Sequence, residues 1–217
     1  MLIKNQILLF FMIVMIAIIG CSDVSSSIGQ RFRGKTLDVV VLTIERTTEA
    51  RFPVKYRTGG TKVSSYCDPA DPDDPDPSGP VSSETKHWKL TPSSDELELV
   101  FLNLKVENHT ATNAVVSINE RSAELRDFVR GVYTPINIRD AMEETAGEPE
   151  NPYKTVTGLA YETGMVFLWN KLLSDGDRAI ELRKGCGLEG WMVFEVPVDT
   201  KFREFKWKTG DSLTIEL

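Results

Sequence analysis

Beyond residue 34, apolar and polar positions alternate over much of the chain. Residues 97–110 read LELVFLNLKVENHT. Val100, Leu102, Leu104 and Val106 fall on one side, with Phe101, Asn103, Lys105 and Glu107 on the other. Successive side chains on a strand point to opposite faces, so this pattern predicts a strand with one face buried and the other mostly wet. Residues 36–44 (TLDVVVLTI) are dense in β-branched side chains and predict a strand that is apolar on both faces, with Val40, Leu42 and Ile44 opposed to Leu37, Val39 and Val41. Such a strand belongs inside a sheet and not at its rim. Further strands are predicted at 114–119, 129–133, 164–169, 191–197, 202–207 and 212–217. The last two form a hairpin whose turn carries Lys208, Thr209, Gly210 and Asp211. Many short strands, turn-rich joints and almost no helical period predict an all-β antiparallel sandwich.

Two stretches break this pattern. Residues 47–91 read as irregular. At their centre, residues 67–80 (CDPADPDDPDPSGP) hold five prolines and Asp68, Asp71, Asp73, Asp74 and Asp76, with no base. Proline removes backbone donors and like charges repel, so 68–80 is expected as an extended, solvated loop. Residues 140–150 (DAMEETAGEPE) are a second acidic run. Its first half suits one or two helical turns, which Gly147 and Pro149 would end.

The N-terminus follows a different rule. After Lys4, residues 7–19 are uncharged and apolar, followed by Gly20 and Cys21. That is the order of a secretory signal: basic start, apolar run, small residue at the cut. The ending Ile18-Ile19-Gly20-Cys21 resembles the lipobox of prokaryotic lipoproteins, in which the cysteine becomes the lipidated first residue of the mature chain. This divides the chain into a signal peptide at 1–20, a lipidated Cys21 with a serine-rich flexible tether to residue 33, and a folded domain at 34–217. The alternative is an uncleaved anchor. Thirteen helical residues span about 20 Å, however, short of a hydrocarbon core of roughly 30 Å. Either reading places the domain in the cell envelope, outside the cytoplasm, and joins it to a membrane.

Charge narrows the partners. The 217-residue chain carries 25 Lys and Arg against 32 Asp and Glu, a formal charge of −7. The acidic balance argues against nucleic acid as a partner, for want of a basic footprint, and against docking on anionic lipid headgroups through the folded domain. With Cys21 lipidated, Cys67 and Cys186 remain as an even pair in an oxidising compartment. They are expected as a disulfide, with two free thiols as the alternative.

Three pieces resemble a family of extracytoplasmic immunoglobulin-like domains called domain of unknown function 4352. They are the opening strand at 34–42, residues 101–108 with the turn after them, and above all residues 182–197 (LRKGCGLEGWMVFEVP), where a glycine turn feeds a strand ending Phe-x-Val-Pro. The resemblance implies an immunoglobulin-like antiparallel β-sandwich displayed on lipoproteins and secreted proteins, here with long loop insertions at 68–80 and 140–150. It implies no catalytic residue.

Candidate chemistry is thin. Asp68, Asp71, Asp73, Asp74 and Asp76 could supply oxygens to calcium, but the alternation of acids leading to a glycine and a distal Glu is absent. A solvated loop is the competing reading. His87 and His109 sit in no metal spacing, and no nucleophile stands beside a base, so an enzyme is not expected. An envelope hydrolase would have to work through carboxylates alone. Asn108-His109-Thr110 matches a glycosylation sequon but is read as a turn. Four tryptophans, Trp88, Trp169, Trp191 and Trp207, read mainly as packing, with an exposed platform for a carbohydrate or peptide as the rival. The expected function is an envelope lipoprotein whose sandwich binds a protein partner or ligand. A calcium-dependent structural or adhesive domain using the aspartate loop is the alternative.

Overall fold

The strands with the densest apolar alternation sit at the centre of the structure. The computed structural model describes residues 27–57, 81–145, 165–166 and 178–217. Strand β5 (Leu97–Asn108) is the spine. It lies antiparallel between β2 (Leu37–Thr47) and β12 (Gly187–Pro197), and β1 (Arg31–Arg33) and β10 (Met165–Val166) flank them in the order β1-β2-β5-β12-β10. The β5–β12 ladder runs unbroken from Leu97 opposite Pro197 to Glu107 opposite Gly187. Short β10 is the exception to the antiparallel pattern, pairing parallel to β12. A second sheet, β14-β13-β7-β8, is built from β7 (Ala123–Asp127), β8 (Val132–Tyr133), β13 (Phe202–Trp207) and β14 (Leu213–Glu216). The pair β6 (Asn113–Ile118) and β11 (Arg178–Arg183) completes that layer. A third sheet, β3-β4-β9, comprises β3 (Ala50–Arg57), β4 (Val81–Leu90) and β9 (Met142–Thr145).

Packing explains the layers. One face of the five-stranded sheet contributes Leu37, Val39 and Val41, then Val100, Leu102, Leu104 and Val106, then Met192, Phe194 and Val196. These meet Val116, Leu125, Leu182, Phe205, Trp207 and Ile215 of the second layer in one core. Phe194 and Phe205 meet edge to face across the two sheets with centroids 6.4 Å apart. Each such side chain, fully buried, contributes roughly 1.5–3 kcal/mol. The opposite face carries a smaller core of Leu99, Phe101, Trp191 and Val193 with Ala50, Leu90 and Ile138. The described residues thus form an all-β sandwich, as the strand pattern predicts.

Six expectations change in detail. Phe101 and Asn103 are buried, so β5 has apolar cover on both faces where one wet face was expected; the third sheet supplies that cover. In β2 a bulge between Val41 and Thr43 shifts the register by one. The extra residue reverses the face parity, so Ile44 packs on the same core as Val39 and Val41. Residues 47–91 are not irregular throughout, since β3 and β4 form an antiparallel hairpin. Residues Arg31–Arg33, assigned above to the tether, form β1 on the edge of β2. The predicted strand at 129–133 is instead β7 ending at Asp127, a turn, and the two-residue β8. In the acidic run, one helical turn, α1 (Ile138–Ala141), precedes strand β9, which pairs with β4.

Candidate interaction surface

The aspartates singled out for calcium (Asp68, Asp71, Asp73, Asp74 and Asp76), the lipidation candidate Cys21 and the disulfide candidate Cys67 all lie outside the described residues. Cys186 is buried at 6 % exposure in the turn between β11 and β12, where its carbonyl accepts the Asn108 N–H at 2.8 Å. Among the described residues, no three His, Cys, Asp or Glu side chains gather as a metal site. No helix among them is long and apolar enough to cross a membrane.

Asn108 is fully buried. Its Oδ1 accepts the N–H groups of Thr110 and Ala111 at 3.2 and 3.0 Å, and its Nδ2 donates to the carbonyls of Ala111 and Leu182 at 2.8 Å each. The sequon is therefore a structural turn, with the amide that a glycan would need already engaged on both sides. Nearby, buried Asp38 accepts hydrogen bonds from Arg31 and Arg33 at 3.2 Å each, and His109 Nε2 stands 3.7 Å away. Two guanidiniums satisfy this carboxylate, and the cluster reads as an anchor for the edge strand β1.

The feature that packing does not explain is the turn joining β7 to β8. Asp127, buried at the end of β7, organises it from beneath. Its Oδ1 accepts the N–H groups of Val129 at 2.8 Å and Gly131 at 2.6 Å, and its Oδ2 accepts the Tyr133 hydroxyl at 2.8 Å. Arg130 adopts φ 75°, a left-handed conformation that costs a residue with a side chain on the order of 1 kcal/mol. Gly131 is required by space: a Cβ there would sit 2.3 Å from Asp127 Oδ2 and 2.5 Å from the Tyr133 hydroxyl. Burial works against the Asp127 charge, but the Tyr133 hydroxyl and the two amides outweigh it and hold the carboxyl below its ordinary range. The Tyr133 hydroxyl is pushed up by burial and by that neighbouring carboxylate.

What this rigid turn presents is apolar. Phe128 is 64 % exposed, Val129 84 % and Val132 51 %. Asp127 lies opposite Phe202 and Leu97 opposite Pro197, so the 128–131 turn shares one end of the sandwich with the 198–201 turn and the last residues of β2. Val198, also exposed, extends the apolar surface there. Exposed charges around it are mixed: Arg130, Lys201 and Arg203 against Asp95, Glu96 and Asp199. Reasoning from sequence missed this surface because Val129 and Val132 read as part of a strand at 129–133. The signal was Asp127 four residues before Gly131, a carboxylate placed to cap a turn.

No protein-family model matches the chain, and no curated protein does. Among solved structures, the chain is similar to a presumed lipoprotein, ycdA, of Bacillus subtilis subsp. subtilis strain 168. The two are 9 % identical with a TM-score of 0.38, over 86 % of this chain and 38 % of that one. The chain therefore spans well under half of that protein's length.

Proposed function

We propose that this chain is an extracytoplasmic protein of the cell envelope, held to a membrane by lipid on Cys21, whose sandwich is an interaction module and not a catalyst. The turn of Phe128 and Val129 carries the reading: folding leaves two large apolar side chains in water on a backbone that Asp127, Gly131 and Tyr133 hold rigid. Strained, fixed backbone of this kind is retained where it presents something. The run at residues 7–21 supports the anchor, and the likeness of residues 182–197 to the immunoglobulin-like domain of unknown function 4352 is in keeping with both. Within this reading Cys67 and Cys186 form a disulfide, suited to the oxidising side of the membrane. The test is metabolic labelling with a radioactive fatty acid. Label should enter the wild-type chain and be lost in Cys21→Ser; label that persists in that variant overturns the anchor.

A further inference from the structure

We propose that the partner met by this end of the sandwich is a second copy of the same chain, docked turn against turn about a two-fold axis. The inference rests on the interaction-module reading and names its occupant. Two turns build the surface, and each is gripped from beneath by a buried carboxylate. Asp127 holds the amides of 128–131. Glu98, 8 % exposed, does the same for 198–201, where its Oε1 accepts the Asp199 N–H at 3.2 Å and an Arg46 N–H at 2.9 Å. Arg46 also donates to the Thr200 carbonyl, and its guanidinium lies over the Phe202 ring, 4.7 Å from the centroid. The Thr200 side chain stands beside the Tyr133 hydroxyl, so the two turns adjoin. Among the described residues, Arg130 (φ 75°) and Asp199 (φ 64°) are the non-glycine residues with left-handed backbone, one in each turn. A surface fixed in this way loses little conformational freedom on docking.

Charge selects the occupant. The chain as a whole carries −7, which opposes self-association over most of its surface. At this end, exposed Arg130, Lys201 and Arg203 are balanced by Asp95, Glu96 and Asp199. A strongly basic or acidic partner calls for a rim of one sign. A two-fold contact calls for both signs around an apolar centre, because each copy must complement the same patch on the other. Phe128, Val129, Val132 and Val198 supply that centre. The signs are also segregated. Arg130 and Arg203 belong to the second layer, whereas Asp95 and Glu96 lie in the turn entering β5, where the Glu96 carbonyl accepts the Val198 N–H at 3.0 Å. A half-turn about an axis through the apolar centre sets each layer's charges over those of the other.

Size sets the strength. A stable protein interface buries about 800 Å² on each partner. Four apolar side chains and a charged rim on two turns fall short of that. The dimer is therefore reversible, with a Kd on the order of micromolar or weaker.

The test places a photo-crosslinking amino acid at position 129 of the full chain, in cells expressing two copies with different epitope tags, and at position 115 as the control. Val115 is also half exposed, but it lies at the opposite end, its carbonyl beside Gly210 and near Leu37. The expected result is an adduct bearing both tags from position 129 and none from 115. Its yield should fall at least about fivefold in Phe128→Ser and in Val198→Ser, one substitution in each turn. A two-tag adduct whose yield is unchanged in either variant overturns the inference. An adduct from 129 to one other envelope protein, with no two-tag product, overturns it in favour of that partner and leaves the interaction-module reading standing. No adduct from 129 above the control overturns that reading and this inference with it.

Discussion

Asp211 and Leu37 stand 174 residues apart in sequence and are joined by a hydrogen bond of 3.2 Å from the Leu37 N–H to Asp211 Oδ2. The same oxygen accepts the Thr36 N–H at 2.8 Å. The C-terminal hairpin is thereby fastened to the start of the first core strand. Gly34 completes the joint, since a Cβ there would stand 2.3 Å from that oxygen. Replacing Asp211 by Ala leaves the amides of Thr36, Leu37 and Ser212 without this acceptor, a cost of about 1–3 kcal/mol. For a chain of this size each kcal/mol lowers Tm by about 2–4 °C. A thermal melt of Asp211→Ala at pH 7 checks this, and a Tm within 1 °C of wild type removes the joint from the account.

The joint also has a predicted pH signature. Burial raises the Asp211 carboxyl, but the amides of Thr36, Leu37 and Ser212 more than offset it, and the net shift is below the ordinary 3.8. The net shift at Asp127 has the same direction. A carboxylate depressed in the folded state contributes stability that is fully present above its unfolded pKa and lost as pH falls through the folded one. Stability should therefore be flat down to about pH 5 and fall below about pH 4. Urea titrations across that range should show a shallower fall in Asp211→Asn and in Asp127→Asn than in wild type.

In the 128–131 turn, framework and display separate by mutation. Gly131→Ala should destabilise by about 1–3 kcal/mol, because its Cβ would collide with a buried carboxylate and a hydroxyl. Phe128→Ser and Val129→Ser should change stability by less than about 0.5 kcal/mol, as both side chains already face water. If the two serine variants melt well below wild type, the apolar pair is packing and the display argument fails.

How much of this was legible beforehand depended on whether the signal was local. Alternation along 97–108 and 191–197 is local, and it located two of the long strands of the central sheet, though not their pairing. The second core was not legible, because it depends on what covers the far face of β5. That cover comes from β3, β4 and β9, whose pairing is long-range and whose intervening residues look like loop. The bulge at Leu42 was hidden for a related reason, since one extra residue leaves the composition untouched and reverses every face after it. At 129–133 the apolar Val129 and Val132 imitated strand residues, and only the Asp127–Gly131 spacing betrayed a turn. The anchor motif at Cys21 and the Asp68–Asp76 cluster were plain in sequence, and both lie outside the described residues.

Asn108 supplies a prediction in which the sequon and the fold oppose each other. Both sides of its amide are committed inside the domain, to Thr110, Ala111 and Leu182. Expression in a host that glycosylates should give a folded product with no glycan on Asn108, checked by peptide mass. Asn108→Ala should cost about 2–4 kcal/mol, since it leaves buried amides and carbonyls unpaired at once. Thr110→Ala destroys the sequon equally well but should cost far less, because the Thr110 hydroxyl donates to the Lys35 carbonyl in an exposed bond of 3.0 Å. Equal losses in the two variants would place the stability elsewhere in the turn.

Asn103 should behave in the opposite way. It is 8 % exposed on β5, opposite Trp191 of β12, and its Oδ1 has no hydrogen-bond partner among the described residues. A buried acceptor left unpaired costs about 1–3 kcal/mol relative to an apolar group in the same place. Valine is somewhat bulkier than asparagine, but it suits a central strand and carries no unpaired atom. Asn103→Val should therefore raise stability by about 1–2 kcal/mol, read as a higher urea midpoint at unchanged slope. A loss of stability would mean that the side-chain volume beside Trp191 outweighs the unpaired oxygen.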